Sequence, residues 1–145
     1  MINSANCCCI NTNSDIYIHQ NQSKIAVINN KSLSLLLFYT SFYGIILKTH
    51  NVAAQFLKNG YKTEVTRFLL DGGVDIVLKK DEMLFGVQCK YLSHNRFVDT
   101  VDMLHFLGVL VNMQADGGFF VTTGKITAAG QDIAIRNGIN IIIVR

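Results

Sequence analysis

From Asn51 to the C-terminus the apolar residues switch repeatedly between helical and strand periods, and this order constrains the fold more than any other feature. Residues 51–60, "NVAAQFLKNG", read as a short helix with Val52, Phe56 and Leu57 on one side, closed by Asn59 and Gly60. Three strand-like segments follow: 61–66, 74–78, and 84–90 after the charged turn "KKDE". Residues 99–115 return to a helical period. Asp99 suits the N-cap, Asp102 suits the positive first turn, and Val101, Leu104, Leu107 and Leu110 or Val111 form the predicted apolar face. The segment "GFFVT" at 118–122, a helix over 127–137 closed by Gly138, and "NIIIV" at 140–144 complete the order α-β-β-β-α-β-α-β. The expected class is α/β, a mixed β-sheet flanked by helices.

The N-terminal third reads differently. Residues 1–31 are rich in Asn and Ser, show no sustained period, and are expected to be poorly ordered. Cys7, Cys8 and Cys9 lack the paired spacing of a zinc site and the glycine context of a lipidation signal, so they read as incidental thiols. With Cys89 in an expected buried strand, the chain reads as reduced and cytoplasmic. Residues 32–48 hold an uncharged apolar stretch that falls short of the roughly 20 apolar residues needed to span a bilayer. A packed element is therefore favoured there over a membrane anchor. Residues 49–145 form the expected folded domain. The net charge of +3 permits a polyanionic partner without requiring one.

The polar residues inside the strand-like runs carry the chemistry. Gln88 and Lys90 are two apart in one strand and share a face, while Val87 and Cys89 point to the other. If "KKDE" is a four-residue loop, Leu78 pairs with Met83, and Asp75 falls opposite Gly86 and diagonal to Gln88 on that same face. Gly86 then leaves space for Asp75. Such a cluster suits phosphodiester hydrolysis: Asp75 and Gln88 offer oxygen ligands to Mg²⁺, and Lys90 can orient water and offset charge at phosphorus. Solvated strand ends are the alternative reading of the same spacing.

The segments "DGGVDIVL", "VQCK", "FLGVL", "GGFFVTTGKITAAG" and "NGINIIIV" occur in an order and spacing that resemble the catalytic domain of Mrr-type restriction endonucleases. These are a branch of the PD-(D/E)xK nuclease superfamily in which Gln often replaces the second acid. The resemblance spans roughly residues 51–145. It implies a restriction-endonuclease-like αβββαβ core, DNA as substrate, Mg²⁺ as cofactor, a Mrr-like (type IV-like) restriction activity, and catalytic roles for Asp75, Gln88 and Lys90. The chain departs from the family pattern on the first helix, which has no acid and offers Gln55 as a polar stand-in. Leu69 and Leu70 stand where glycines are common, although Asp71 and Gly73 fit, and Asp71 is a further metal-site candidate. Residues 1–48 do not resemble a DNA-recognition domain, so specificity would be minimal or supplied by a partner, a second copy or a separate recognition subunit.

Three further residues are DNA-contact candidates. Lys125 lies between a strand end and a helix start, where a cation can meet a phosphate. Asn95 and Arg96, with His94, follow the Gln-x-Lys strand in a polar loop that can lie along a duplex. His105 reads as a helix-surface residue and Glu64 as a solvent-facing strand residue. Two alternatives stand beside the endonuclease reading: a Holliday-junction-resolvase-like nuclease, and a degenerate DNA-binding remnant.

Overall fold

The computed structural model describes residues 8–9, 25–28, 41–66, 73–93 and 95–144. Helix α1 runs over Ser41–Lys58, followed by strands β3 (Lys62–Val65), β4 (Ile76–Lys80) and β5 (Met83–Lys90). A short strand β6 (Phe97–Val98) leads into α2 (Thr100–Asn112) and β7 (Gly117–Thr122). Strand β8 (Lys125–Ile126), helix α3 (Ala128–Arg136) and β9 (Ile139–Val144) close the order. From the N-terminal region come β1 (Cys8–Cys9) and β2 (Ile25–Ile28), two short strands where the sequence suggested none. The main sheet has the order β1-β2-β9-β7-β5-β4-β3, while β6 and β8 pair separately.

The connections explain the layering. Strands β5, β7 and β9 are parallel neighbours joined through α2 and α3. Two right-handed crossovers that advance in one direction put both helices on one face of the sheet. Helix α1 covers the other. Each face has its own core: Ala53 and Phe56 of α1 pack with Ile76, Leu78, Val87, Phe119, Val121 and Ile142. Met103, Phe106 and Leu110 of α2 pack with Val74, Phe120, Ile139 and Ile141. Alternation along β5, β7 and β9 sorts neighbouring apolar residues between these two cores.

Two helix expectations are corrected. The apolar stretch ending at Leu47 and the short helix from Asn51 form one continuous helix, with Thr49, Ala53 and Phe56 buried and Leu57 exposed. Thr49, Ala53 and Phe56 form the stripe that meets the sheet, and Leu57 falls at its edge, on the solvent side. On α2 the buried face is Met103, Phe106 and Leu110, whereas Val101, Leu104 and Val111 are exposed. The helix is apolar on two sides, so periodicity alone left the choice open, and the chain ends entering from β6 and leaving to β7 fix its rotation. Among the described residues, no helix is long and apolar enough to cross a membrane. Residues 32–40 lie outside the described residues.

Candidate active site

The β4–β5 hairpin carries the three residues singled out in the sequence, and its register differs from expectation. Lys80 pairs with Met83 and Val77 with Gly86, so the turn is Asp81–Glu82 alone rather than four residues. Both turn residues have positive φ, at 49° and 63°, the mirror-image turn that matches the twist of the flanking strands. The two-residue change moves Asp75 from opposite Gly86 to the level of Gln88. The space over Gly86 is used by α2 instead: a Cβ there would lie 2.7 Å from Leu110 Cδ2.

Beyond Ile76 the ladder slips. The Asp75 amide donates to the Val87 carbonyl at 2.8 Å, one residue out of step with the Ile76–Val87 pair. Val74 and Val77 belong to the α2/α3 core and Ile76 to the α1 core, so strict alternation breaks across residues 74–76. The Asp75 Oδ2 then accepts the Cys89 backbone N–H at 2.6 Å. A strand N–H points along the sheet plane, so this carboxylate occupies the place a β4 carbonyl would hold. Asp75 thus brackets Gln88, bonding to the residue before it and the residue after it.

The electrostatics follow from burial. Desolvation raises the Asp75 carboxyl above the usual carboxylate range, and the Cys89 N–H bond offsets part of that. Burial, followed by the Asp75 charge, pushes the Cys89 thiol up to about 12, so it stays a neutral thiol. The Tyr91 hydroxyl is raised as well, first by burial. Among the described residues no ion pair reaches this carboxylate, and Lys90 pairs with Asp102 at the start of α2.

Asp102 was read from the sequence only as a helix-dipole residue. In the fold its Oδ1 takes the Lys90 ammonium, its Oδ2 accepts the Asp99 backbone N–H at 3.3 Å, and its own N–H donates to Asp99 Oδ1 at 3.1 Å. This is a capping box. The reciprocal bonds fix the Asp102 side chain, which in turn fixes Lys90. The signal was present in the spacing of Asp99 and Asp102, but nothing local says that the helix start returns to Lys90.

Gly86 and Lys90 both meet α2, so Gln88 between them faces the same side, level with buried Phe120. Its Oε1 is buried without a hydrogen-bond partner. The Gln55 Oε1 is also buried and unpartnered, but α1 covers the opposite face, so the fold does not bring Gln55 together with Gln88 and Lys90. Asn95, Arg96 and Lys125 are exposed at the end of the sheet where β5 finishes. The Thr122 hydroxyl donates to the Lys90 carbonyl at 2.7 Å, and Leu92 and Thr123 exchange two hydrogen bonds. Asp71 and His94 lie outside the described residues. Among those described, no group of three His, Cys, Asp or Glu side chains is placed to hold a metal ion.

A mixed sheet with α1 on one face and α2 and α3 on the other, and with a Gln-x-Lys strand at its centre, is a restriction-endonuclease-like fold. The restriction-endonuclease family model Mrr_cat matches residues 49–145, and the chain belongs to that family. The fold is similar to the MspJI restriction endonuclease in complex with a 27-mer oligonucleotide, with a TM-score of 0.56 and 20% identity over 77% of this chain and 28% of that one. It is also similar to AspBHI, a DNA modification-dependent restriction endonuclease, with a TM-score of 0.54 and 15% identity over 77% of this chain and 30% of that one. A protein of unknown function, AF1548, gives a TM-score of 0.58 and 15% identity over 67% of this chain and 56% of that one. The chain therefore spans between about a quarter and a little over half of the length of these structures. No curated protein matches it by sequence.

Proposed function

We propose that the domain is a divalent-metal-dependent DNA endonuclease of the Mrr-like (type IV-like) kind, with Asp75, Gln88 and Lys90 at its centre. One observation carries this reading: the partly buried Asp75 carboxylate, which forms no ion pair among the described residues, bonds to the Cys89 N–H next to Gln88, whose buried Oε1 has no hydrogen-bond partner. Leaving the buried Gln88 oxygen without a partner costs stability and is retained where a ligand completes it. Asp75 and Gln88 offer the oxygen donors a hard cation takes and would be the residues to hold Mg²⁺. A cation held there would supply charge to offset the phosphate and to acidify a water.

The protein's own groups do the rest. The Cys89 N–H orients the Asp75 carboxylate, and burial keeps bulk water from screening it. Lys90, held by Asp102, presents a fixed ammonium that orients the attacking water and stabilises the added negative charge at phosphorus. Arg96, Asn95 and Lys125 supply phosphate contacts at the same end of the sheet. DNA is the partner this arrangement fits, with a homodimer or a separate subunit giving specificity.

A DNA-binding domain that has lost cleavage is the second reading, favoured by the engagement of Lys90 by Asp102. A nicking assay on supercoiled, methylated and branched DNA decides between them. Mg²⁺-dependent nicking that EDTA and Lys90→Ala each abolish supports the endonuclease. Binding of DNA without nicking under any divalent ion supports the remnant. Preference for branched over linear duplex would redirect the assignment toward a junction resolvase.

A further inference from the structure

Val98 is fully buried while its neighbour Phe97 is 53% exposed, the one aromatic among the exposed large apolar side chains of the described residues. Single exposed apolar residues are ordinary on protein surfaces. The surroundings of this ring are not. Phe97 pairs with Lys125 across the β6–β8 ribbon, and the Lys125 ammonium lies 6.0 Å from the ring centroid. Arg96 adjoins it, preceded by Asn95 at a φ of 72°, and both are exposed. The nearest acid along the chain, Asp99, is engaged with the Val101 and Asp102 backbone amides.

The ribbon is also held in place. The Thr127 N–H donates to the Val98 carbonyl at 3.0 Å. Gly124 is packed so closely that a Cβ would lie 2.7 Å from Leu92 and 3.1 Å from the Arg96 carbonyl. From Phe97 the chain runs directly into Asp99 and then Asp102, the residue that holds Lys90. An aromatic face with the Lys125 ammonium beside it and Arg96 next to it in the chain is therefore fixed at the same end of the sheet as the Lys90 ammonium.

We propose that Phe97, with Lys125 and Arg96, is a nucleobase-stacking platform that favours DNA carrying an unpaired base near the bond to be cut. The inference rests on the DNA-cleavage reading and names its preferred substrate. Cations reach phosphates in single and double strands alike, but a paired base offers its faces only to its neighbours in the stack. The ring thus separates the two forms where the cations do not.

The test compares wild type, Phe97→Ala and Phe97→Tyr as full chains in EDTA, binding single-stranded and duplex oligonucleotides of one sequence that carry 2-aminopurine. Phe97→Ala should weaken single-strand binding about tenfold, the size of one base–aromatic stack, and duplex binding less than about twofold. Phe97→Tyr should keep both the affinity and the fluorescence quenching of a stacked base. The ring is exposed, so thermal unfolding should be unchanged. If wild type binds DNA and Phe97→Ala binds both forms like wild type, or loses both equally, the platform is overturned while the cleavage reading stands. If wild type binds neither form, both fall.

Discussion

The two ends of the β4–β5 hairpin are built from the same strands and obey different rules. At the Asp81–Glu82 end the ladder is regular and the turn has the minimum two residues. At the Asp75–Lys90 end the register slips by one residue, a carboxylate replaces a backbone acceptor, and a buried amide oxygen goes unpartnered. A sequence that satisfies its backbone so economically at one end has the means to do so at the other. The unsatisfied end is where ligand chemistry is expected, and the regular end with the packed faces is what holds it still.

The largest expected effects come from breaking the open end. Lys90→Ala should lower cleavage by roughly 10²–10³, as loss of one preorganised electrostatic group does, with little change in melting temperature. Asp75→Asn should abolish Mg²⁺-dependent cleavage while raising stability at neutral pH, because the amide keeps an acceptor for the Cys89 N–H and removes a buried charge. The sign follows from the raised Asp75 carboxyl. Between its unfolded value and its higher folded value the native state binds the extra proton, so wild-type stability falls as pH rises through that window. Urea midpoints across the acid range should show this decline in wild type and its absence in Asp75→Asn. An identical slope in both would mean that Asp75 is solvated.

Next comes the packed face. A Cβ on Gly118 would lie 2.5 Å from Leu110 and 3.0 Å from Phe106, so Gly118→Ala should cost about 1–3 kcal/mol through overpacking. Denaturant titration checks it, and an unchanged midpoint would show that α2 can move off the sheet freely.

The link between the two regions is Asp102. Asp102→Asn keeps an acceptor for the Asp99 amide and loses the charge that holds Lys90. It should lower kcat about tenfold, roughly 1.4 kcal/mol, with KM for DNA unchanged. In a Lys90→Ala background the same change should do nothing further. Faster cleavage in Asp102→Asn would instead show that the ion pair restrains Lys90. The smallest effect belongs to the regular end: Glu82→Gly should stabilise by about 0.5–1 kcal/mol, because glycine occupies positive φ without a Cβ penalty, and should leave cleavage unchanged.

The sequence by itself determined the order of the main elements from Asn51 onward, the strands "GFFVT" and "NIIIV", the cap at Asp99, and the shared face of Gln88 and Lys90. These follow from local periodicity and local hydrogen bonding, which a short window contains. Tertiary structure decided the remainder. The hairpin register depended on whether Lys79 and Lys80 joined the strands or the turn, and only cross-strand pairing settles that. The rotation of α2 was ambiguous because both of its sides are apolar. Its docking over Gly86 and Gly118 buries Met103, Phe106 and Leu110 and leaves Val101 and Leu104 outside. The meeting of Lys90 with Asp102 and the placing of Asp75 at the Cys89 amide arise where separate segments converge, and a linear pattern carries no record of such distances.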